Sequence, residues 1–196
     1  MKLRLLSILL IIVLSAFTSK NANSFLFWNQ AGLFNGATSY VTFPNSSTLN
    51  ITGSFSIEGW INPVNASSPA LQIIAEKRTG TVANGYTLFL SGGKAAIMTN
   101  QFTRLTGTTV IPNNLWTHIA ATYNSVTNEF SIYINNTLDA AATVGGASPS
   151  PSMDSLRIGK GNAGNNFKGA IDEFRVWNRG LTAAEITRYF RTSLGA

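Results

Sequence analysis

Acid–base chemistry in this chain has to come from few side chains. The carboxylates are Glu58, Glu76, Glu129, Asp139, Asp154, Asp172, Glu173 and Glu185, and the one imidazole is His118. There is no cysteine, which excludes thiolate metal sites, a Cys nucleophile and a disulfide framework. A single His excludes a multi-His metal centre. A retaining glycosidase needs an acid and a nucleophile about 5–5.5 Å apart, and carboxylates at i and i+4 on one strand face are a common way to begin that geometry. No two acids here stand so. Asp172 and Glu173 are adjacent, and neighbours on a strand point to opposite faces; two acids distant in sequence could still meet in space. His118 lies two residues after Trp116 on the same strand face, and no G-x-S-x-G elbow supplies a nucleophile. It reads as a packing or hydrogen-bonding imidazole rather than a triad base. Asp172 would share a regular strand face with Ala170, Phe174 and Val176. An ionised carboxylate on an apolar face must find a partner, either a calcium ion with its six to eight oxygens or a hydrogen-bond donor or Arg.

Binding chemistry is carried by amides and indoles. Gly161 to Lys168 holds Asn162, Asn165 and Asn166, whose amides suit hydroxyl recognition, although Gly and Asn are also what an ordinary turn requires. Trp28 precedes the first strand pattern and is free to stack on a sugar. Trp60, Trp116 and Trp177 fall inside strand patterns, which favours packing. Asn45, Asn50, Asn65 and Asn135 begin N-x-[ST] sequons.

The elements that must position these residues are short strands. In 54–62, Phe55, Ile57 and Ile61 fall on one face and Ser56, Glu58 and Trp60 on the other; 115–123 and 129–134 repeat this period of two, the half-buried strand signature. Further strands are expected at 39–43, 71–77, 86–91, 94–99, 156–159 and 167–177. Asn135-Asn136 and Gly92-Gly93 read as hairpin turns, and 143–152 as a long loop. Such a series indicates an antiparallel sandwich. One helix is marked, from Ala183 to about Arg191. Thr182 and Glu185 form a capping box and Leu181 and Ile186 a hydrophobic staple.

The first 24 residues read as a secretory signal peptide. Lys2 and Arg4 precede an apolar run over 5–17, and Ala22 and Ser24 sit at −3 and −1 of a cut before Phe25; the run is too short to span a bilayer, which takes about 20 residues. Cleavage would leave one domain over 25–196 and no membrane span. Losing Lys2, Arg4 and Lys20 lowers the formal charge from +6 to +3. The remaining cations are dispersed, without the clustered Lys/Arg that nucleic acid requires.

Five segments in order resemble the laminin-G-like domains of the concanavalin A-like lectin/glucanase superfamily. They are Leu33-Phe34-Asn35-Gly36 with Ser39-Tyr40-Val41; Ser54-Phe55-Ser56-Ile57-Glu58-Gly59-Trp60-Ile61; Trp116-Thr117-His118-Ile119-Ala120-Ala121-Thr122-Tyr123; Leu156-Arg157-Ile158-Gly159; and Phe167 through Arg179, followed by Leu181 to Ile186. The resemblance implies an all-β fold, a two-sheet antiparallel jelly roll, here with one short C-terminal helix. It implies a secreted, non-catalytic binding or adhesion module whose partner is a glycan or an extracellular protein. Relatives also carry a structural calcium near their first and last strands, so carbonyls near Asn35 and Gly36 could complete a site with Asp172; Asn35 stands where Asp is commoner, which removes a charge. The alternatives are a polysaccharide-active glycoside hydrolase relative, whose E-x-D-x-E strand is missing, and a structural surface or matrix protein. Oligomeric state is left open.

Overall fold

The computed structural model describes residues 31–192. The expected signal peptide and Trp28 lie outside the described residues.

The alternating segments form twelve strands: β1 Gly32–Asn35, β2 Val41–Phe43, β3 Phe55–Pro63, β4 Gln72–Lys77, β5 Tyr86–Ser91, β6 Lys94–Thr99, β7 Phe102–Val110, β8 Thr117–Asn124, β9 Glu129–Ile134, β10 Thr137–Thr143, β11 Leu156–Ile158 and β12 Lys168–Trp177, followed by helix α1, Ala183–Thr192. They pair into two antiparallel sheets of six, ordered β1-β12-β3-β8-β9-β10 and β2-β11-β4-β5-β6-β7. β12 inserts between β1 and β3, and β11 between β2 and β4, so each sheet joins early and late strands in a jelly roll.

The core lies between the sheets because one face of each strand is apolar. Phe55, Ile57 and Ile61 of β3, Ile119 and Tyr123 of β8 and Phe130 and Ile132 of β9 meet Tyr86, Leu88 and Leu90 of β5 and Ile97 of β6. Phe55 stacks on Tyr86 at 5.5 Å and Tyr123 on Phe130 at 4.4 Å. Such aromatic pairs add to burial. Burial pushes the Tyr86 phenol well above its ordinary pKa. It stays neutral and donates to the Leu49 carbonyl at 3.1 Å.

The expected hairpins are present. Gly92 and Gly93 (φ 54° and 82°) and Asn135 and Asn136 (φ 46° and 68°) all take positive φ, as a type I′ turn demands. Asn100 and Gln101 do the same between β6 and β7. Three strands go beyond the sequence reading: β1, β7 and β10. β7 and β10 are edge strands with irregular register, Asp139 standing at a bulge, and a bulge breaks the period of two. β8 begins at Thr117 rather than Leu115. Leu115 is exposed and Trp116 half-buried ahead of the strand, after Asn114 turns the chain with a positive φ. Trp116 is therefore not a core strand residue.

Helix α1 does not close the gap between the sheets but packs on the outer face of the first. Its capping box is formed: the Thr182 amide donates to Glu185 at 2.9 Å and the Glu185 amide to the Thr182 hydroxyl at 3.3 Å. Leu181 and Ile186 are buried against Ala120 and Trp177. Among the described residues no helix is long and apolar enough to cross a membrane.

Candidate functional site

Under α1 the outer face of β3, β8 and β12 carries the residues most suggestive of chemistry. Glu58 and His118 are fully buried, with Glu58 Oε2 3.5 Å from His118 Nε2. The Trp177 indole donates to Glu58 Oε1 at 3.1 Å, and Arg175 Nη1 lies 3.6 Å from the same oxygen. Glu173 pairs with the other side of Arg175. Phe190 of α1 stacks on Trp60 at 5.2 Å and meets the edge of His118 at 5.8 Å. A second acid pair, Glu76 and Asp154, is divided in the same manner by Arg157, at 3.8 Å and 3.2 Å. In each pair a guanidinium bridges the two carboxylates.

Asp172 departs from expectation. β12 has a bulge between Asp172 and Arg175, with Glu173 at φ 50°. The extra residue switches faces: Ile171, Phe174 and Val176 enter the core and Asp172 does not join Phe174 and Val176. Its carboxylate is half-buried and accepts the Glu173 amide at 2.8 Å. Asn35 pairs with Lys168, four residues along β12 from Asp172, a separation of ~13 Å at about 3.3 Å per residue. The Asn35 Oδ1 already accepts the amides of Ala37, Thr38 and Ser39, and its Nδ2 donates to the Thr38 hydroxyl. Asp172, Asn35 and Gly36 thus do not come together as one ligand set for calcium, which needs six to eight convergent oxygens. Among the described residues no three His, Asp or Glu gather as a metal cluster.

Asn35 and Gly36 instead border a cleft of about 390 Å³ on the rim of the sandwich. Three segments form it: the turn after β1, the β3–β4 connection with Asn65 and Ser68, and the β11–β12 connection with Gly164, Asn165 and Asn166. Gln72 and Lys168 complete its polar wall. The β11–β12 connection is held from several sides. Glu76 accepts the Asn162 amide at 2.6 Å, and Asn162 Nδ2 donates to the Arg78 carbonyl. The Ile73 amide donates to the Asn165 carbonyl at 2.9 Å, and Asn166 Nδ2 to the Ala37 carbonyl at 2.6 Å. Gly161 is required because a Cβ there would fall 2.6 Å from Ile73 Cγ1.

Of the binding candidates that the sequence suggests, Asn165 and Asn166 line the cleft, Asn162 anchors its loop from behind, and Trp28 lies outside the described residues. The sequence reading missed Asn65, Ser68, Gln72 and Lys168 as cleft residues. Only Asn65 carried a signal, as a sequon, and that signal concerns modification rather than binding.

The wall has two kinds of residue. Asn35, Gln72 and Asn166 brace it: Gln72 Nε2 donates to the Asn65 and Ala66 carbonyls, and its Oε1 accepts the Lys168 amide. The side-chain amides of Asn65 and Asn165 and the Lys168 ammonium hold no hydrogen bond to any described residue, and the Ser68 hydroxyl accepts the Ala70 amide and keeps its proton to give.

Comparison with known proteins agrees with this architecture. A laminin G family profile, described as concanavalin A-like lectin/glucanases superfamily, matches residues 35–187. The adhesion G-protein coupled receptor D1 of Bos taurus is 31% identical over 119 residues, 58% of this chain but 13% of the receptor, so the chain spans a small part of that relative. Two solved structures share the fold. The CBM40 of a Ruminococcus gnavus IT-sialidase, bound to alpha2,3 sialyllactose, has a TM-score of 0.66 at 13% identity and covers 83% of this chain and 97% of its own. The binding domain of Paraclostridial Mosquitocidal Protein 1 has a TM-score of 0.66 at 17% identity, covering 81% of this chain and 42% of its own. With the two six-stranded sheets and a profile spanning most of its length, the chain belongs to the laminin G-like family of the concanavalin A-like lectin/glucanase superfamily.

Proposed function

We propose that this chain is an exported, non-catalytic binding module that holds a glycan in the rim cleft. The observation that carries the reading is the division of the cleft wall. Asn35, Gln72 and Asn166 are occupied in bracing the loops, whereas Asn65, Asn165 and Ser68 keep side-chain donors and acceptors uncommitted. A sugar hydroxyl both donates and accepts, and a side-chain amide matches it in both senses. A wall braced before the ligand arrives loses little freedom on binding. Among the described residues no carboxylate lines the cleft, and the paired acids elsewhere are bridged by Arg175 and Arg157, which supports binding without hydrolysis. The sialyllactose-bound neighbour and the adhesion-receptor relative support a glycan outside the cell as the partner class.

Binding of the purified chain to an immobilised glycan panel tests this, with and without calcium. Asn165→Ala and Asn65→Ala should each weaken the best glycan by about five- to thirtyfold, the equivalent of one or two hydrogen bonds at about 1 kcal/mol each, with melting temperature unchanged. Retention of full binding by both variants would move the site elsewhere. Release of shortened sugars would favour the hydrolase reading, and an extracellular protein bound in place of any glycan would favour adhesion through a protein partner.

A further inference from the structure

Lys168 gives the cleft a charge preference. Its ammonium makes no ion pair with any described residue, and it is the one charged side chain among those that line the cleft. Its stem has a defined course. β1 pairs with β12 so that Lys168 stands opposite Asn35, and the stem crosses Gly36 so closely that a Cβ on Gly36 would fall 2.9 Å from Lys168 Cβ. Gly36 also has a φ of 77°, a backbone state glycine adopts without strain. The chain therefore provides a bare residue at the one place where the Lys168 stem passes. The rest of the polar wall is neutral, built from Asn35, Asn65, Ser68, Gln72, Asn165 and Asn166. A cation facing a wall without carboxylates attracts an anion, and a charge-assisted hydrogen bond is about twice as strong as a neutral one.

We infer that the cleft takes an acidic saccharide, one carrying a carboxylate or sulfate group that pairs with Lys168 while Asn65 and Asn165 bind its hydroxyls. This rests on the glycan reading above. Titration of the whole chain with lactose, 3′-sialyllactose and a sulfated heparin disaccharide separates the two claims. The acidic sugars should bind at least tenfold more tightly than lactose, as expected for a hydrogen bond to a charged group. That margin should shrink when salt is raised from 50 to 500 mM. Lys168→Gln keeps the stem across Gly36 and should remove the margin, bringing the acidic sugars to the affinity that the same variant shows for lactose. The carboxylated and sulfated arms show which group is preferred. Equal affinity for lactose and both acidic sugars, or a margin that survives Lys168→Gln, would overturn the acidic preference and leave a neutral glycan site standing. No binding of any of the three, with none on the panel, would overturn both.

Discussion

The underside of α1 and the rim cleft are both polar, and they treat their polar groups in opposite ways. Under the helix, Glu58, His118 and Trp60 are buried, and Glu58 Oε2, both His118 nitrogens and the Trp60 indole nitrogen have no hydrogen-bond partner among the described residues. In the cleft, Asn65 and Lys168 are exposed and Asn165 half-buried, so water reaches their uncommitted groups; among the described cleft residues only the buried Asn166 Oδ1 resembles the atoms under the helix. Buried polar groups without partners lower stability, and partnered ones become indispensable because removing one strands another. The side chains that look most catalytic on paper are thus the ones enclosed beneath the helix. The glycan site proposed above would instead be carried by the ordinary amides of loops.

The largest expected effect tests that contrast at Glu58. Glu58→Ala would strand the Trp177 indole N–H and remove the buried oxygen beside Arg175 and His118. Breaking a buried charge network in this way costs about 3–5 kcal/mol, which chemical denaturation would register. The contrast between regions breaks if Glu58→Ala is as stable as wild type, or if it stays folded and loses glycan binding. Phe190→Ala should cost about 2–3 kcal/mol, less than the ~3–5 kcal/mol of a fully buried aromatic truncation because the ring is half-buried. It should also move tryptophan emission to the red, because Phe190 is the ring stacked on Trp60.

Asp139 is an intermediate case that sharpens the comparison. It stands at the β10 bulge and ties the edge of one sheet to β7 of the other. Its oxygens accept the amides of Thr108 and Thr109 at 2.8 and 3.0 Å and their hydroxyls at 2.7 and 2.6 Å. Partial burial would raise its pKa, but the bonds from Thr109 and Thr108 outweigh it and hold the carboxyl below the usual carboxylate range. The folded pKa is thus lower than the unfolded one, near 3.9. The stability Asp139 contributes is complete above the unfolded value and is lost as pH falls through the folded one. Asp139→Asn should cost about 1–2 kcal/mol at neutral pH, and the gap to wild type should close as pH drops below about 4. A gap of constant size down to pH 2 would mean that the charge plays no part in the tie.

Most of the fold was legible in the sequence because β3 and β9 alternate cleanly, β5 and β6 read as strand-like runs bounded by turn residues, and α1 carries its own cap. What stayed hidden depends on register. β10 reads as Ala-rich and polar, since its bulge at Asp139 interrupts the alternation. The outer face of β3 alternates with the core as expected, but nothing in its residues says that α1 will cover Glu58 and Trp60. The cleft was harder still. Its wall draws on three segments distant in sequence, and the roles of Asn162 and Asn165, three residues apart, are fixed by contacts with Glu76 and Ile73 on another strand. Amides that brace the loops and amides left uncommitted have the same letters.

The smallest expected effect concerns Asp172, where alternation was most misleading. A regular strand would have set its carboxylate among Phe174 and Val176, and calcium was then an attractive partner. The bulge at Glu173 removes the need, because the Asp172 carboxylate leaves that face and accepts the Glu173 amide. An Asn side chain at 172 offers the same acceptor to the same amide, and Asn is well suited to such local backbone bonds. Asp172→Asn should therefore change stability by no more than about 0.5 kcal/mol, the usual range for a surface substitution. It should also leave unaltered whatever shift in melting temperature calcium produces in the wild type, since only a ligand that binds the native state through Asp172 would lose its stabilisation. A calcium-dependent shift present in the wild type and absent in Asp172→Asn would make this carboxylate a metal ligand after all. The register of β1 on β12 would then require its companions to come from somewhere other than Asn35 and Gly36.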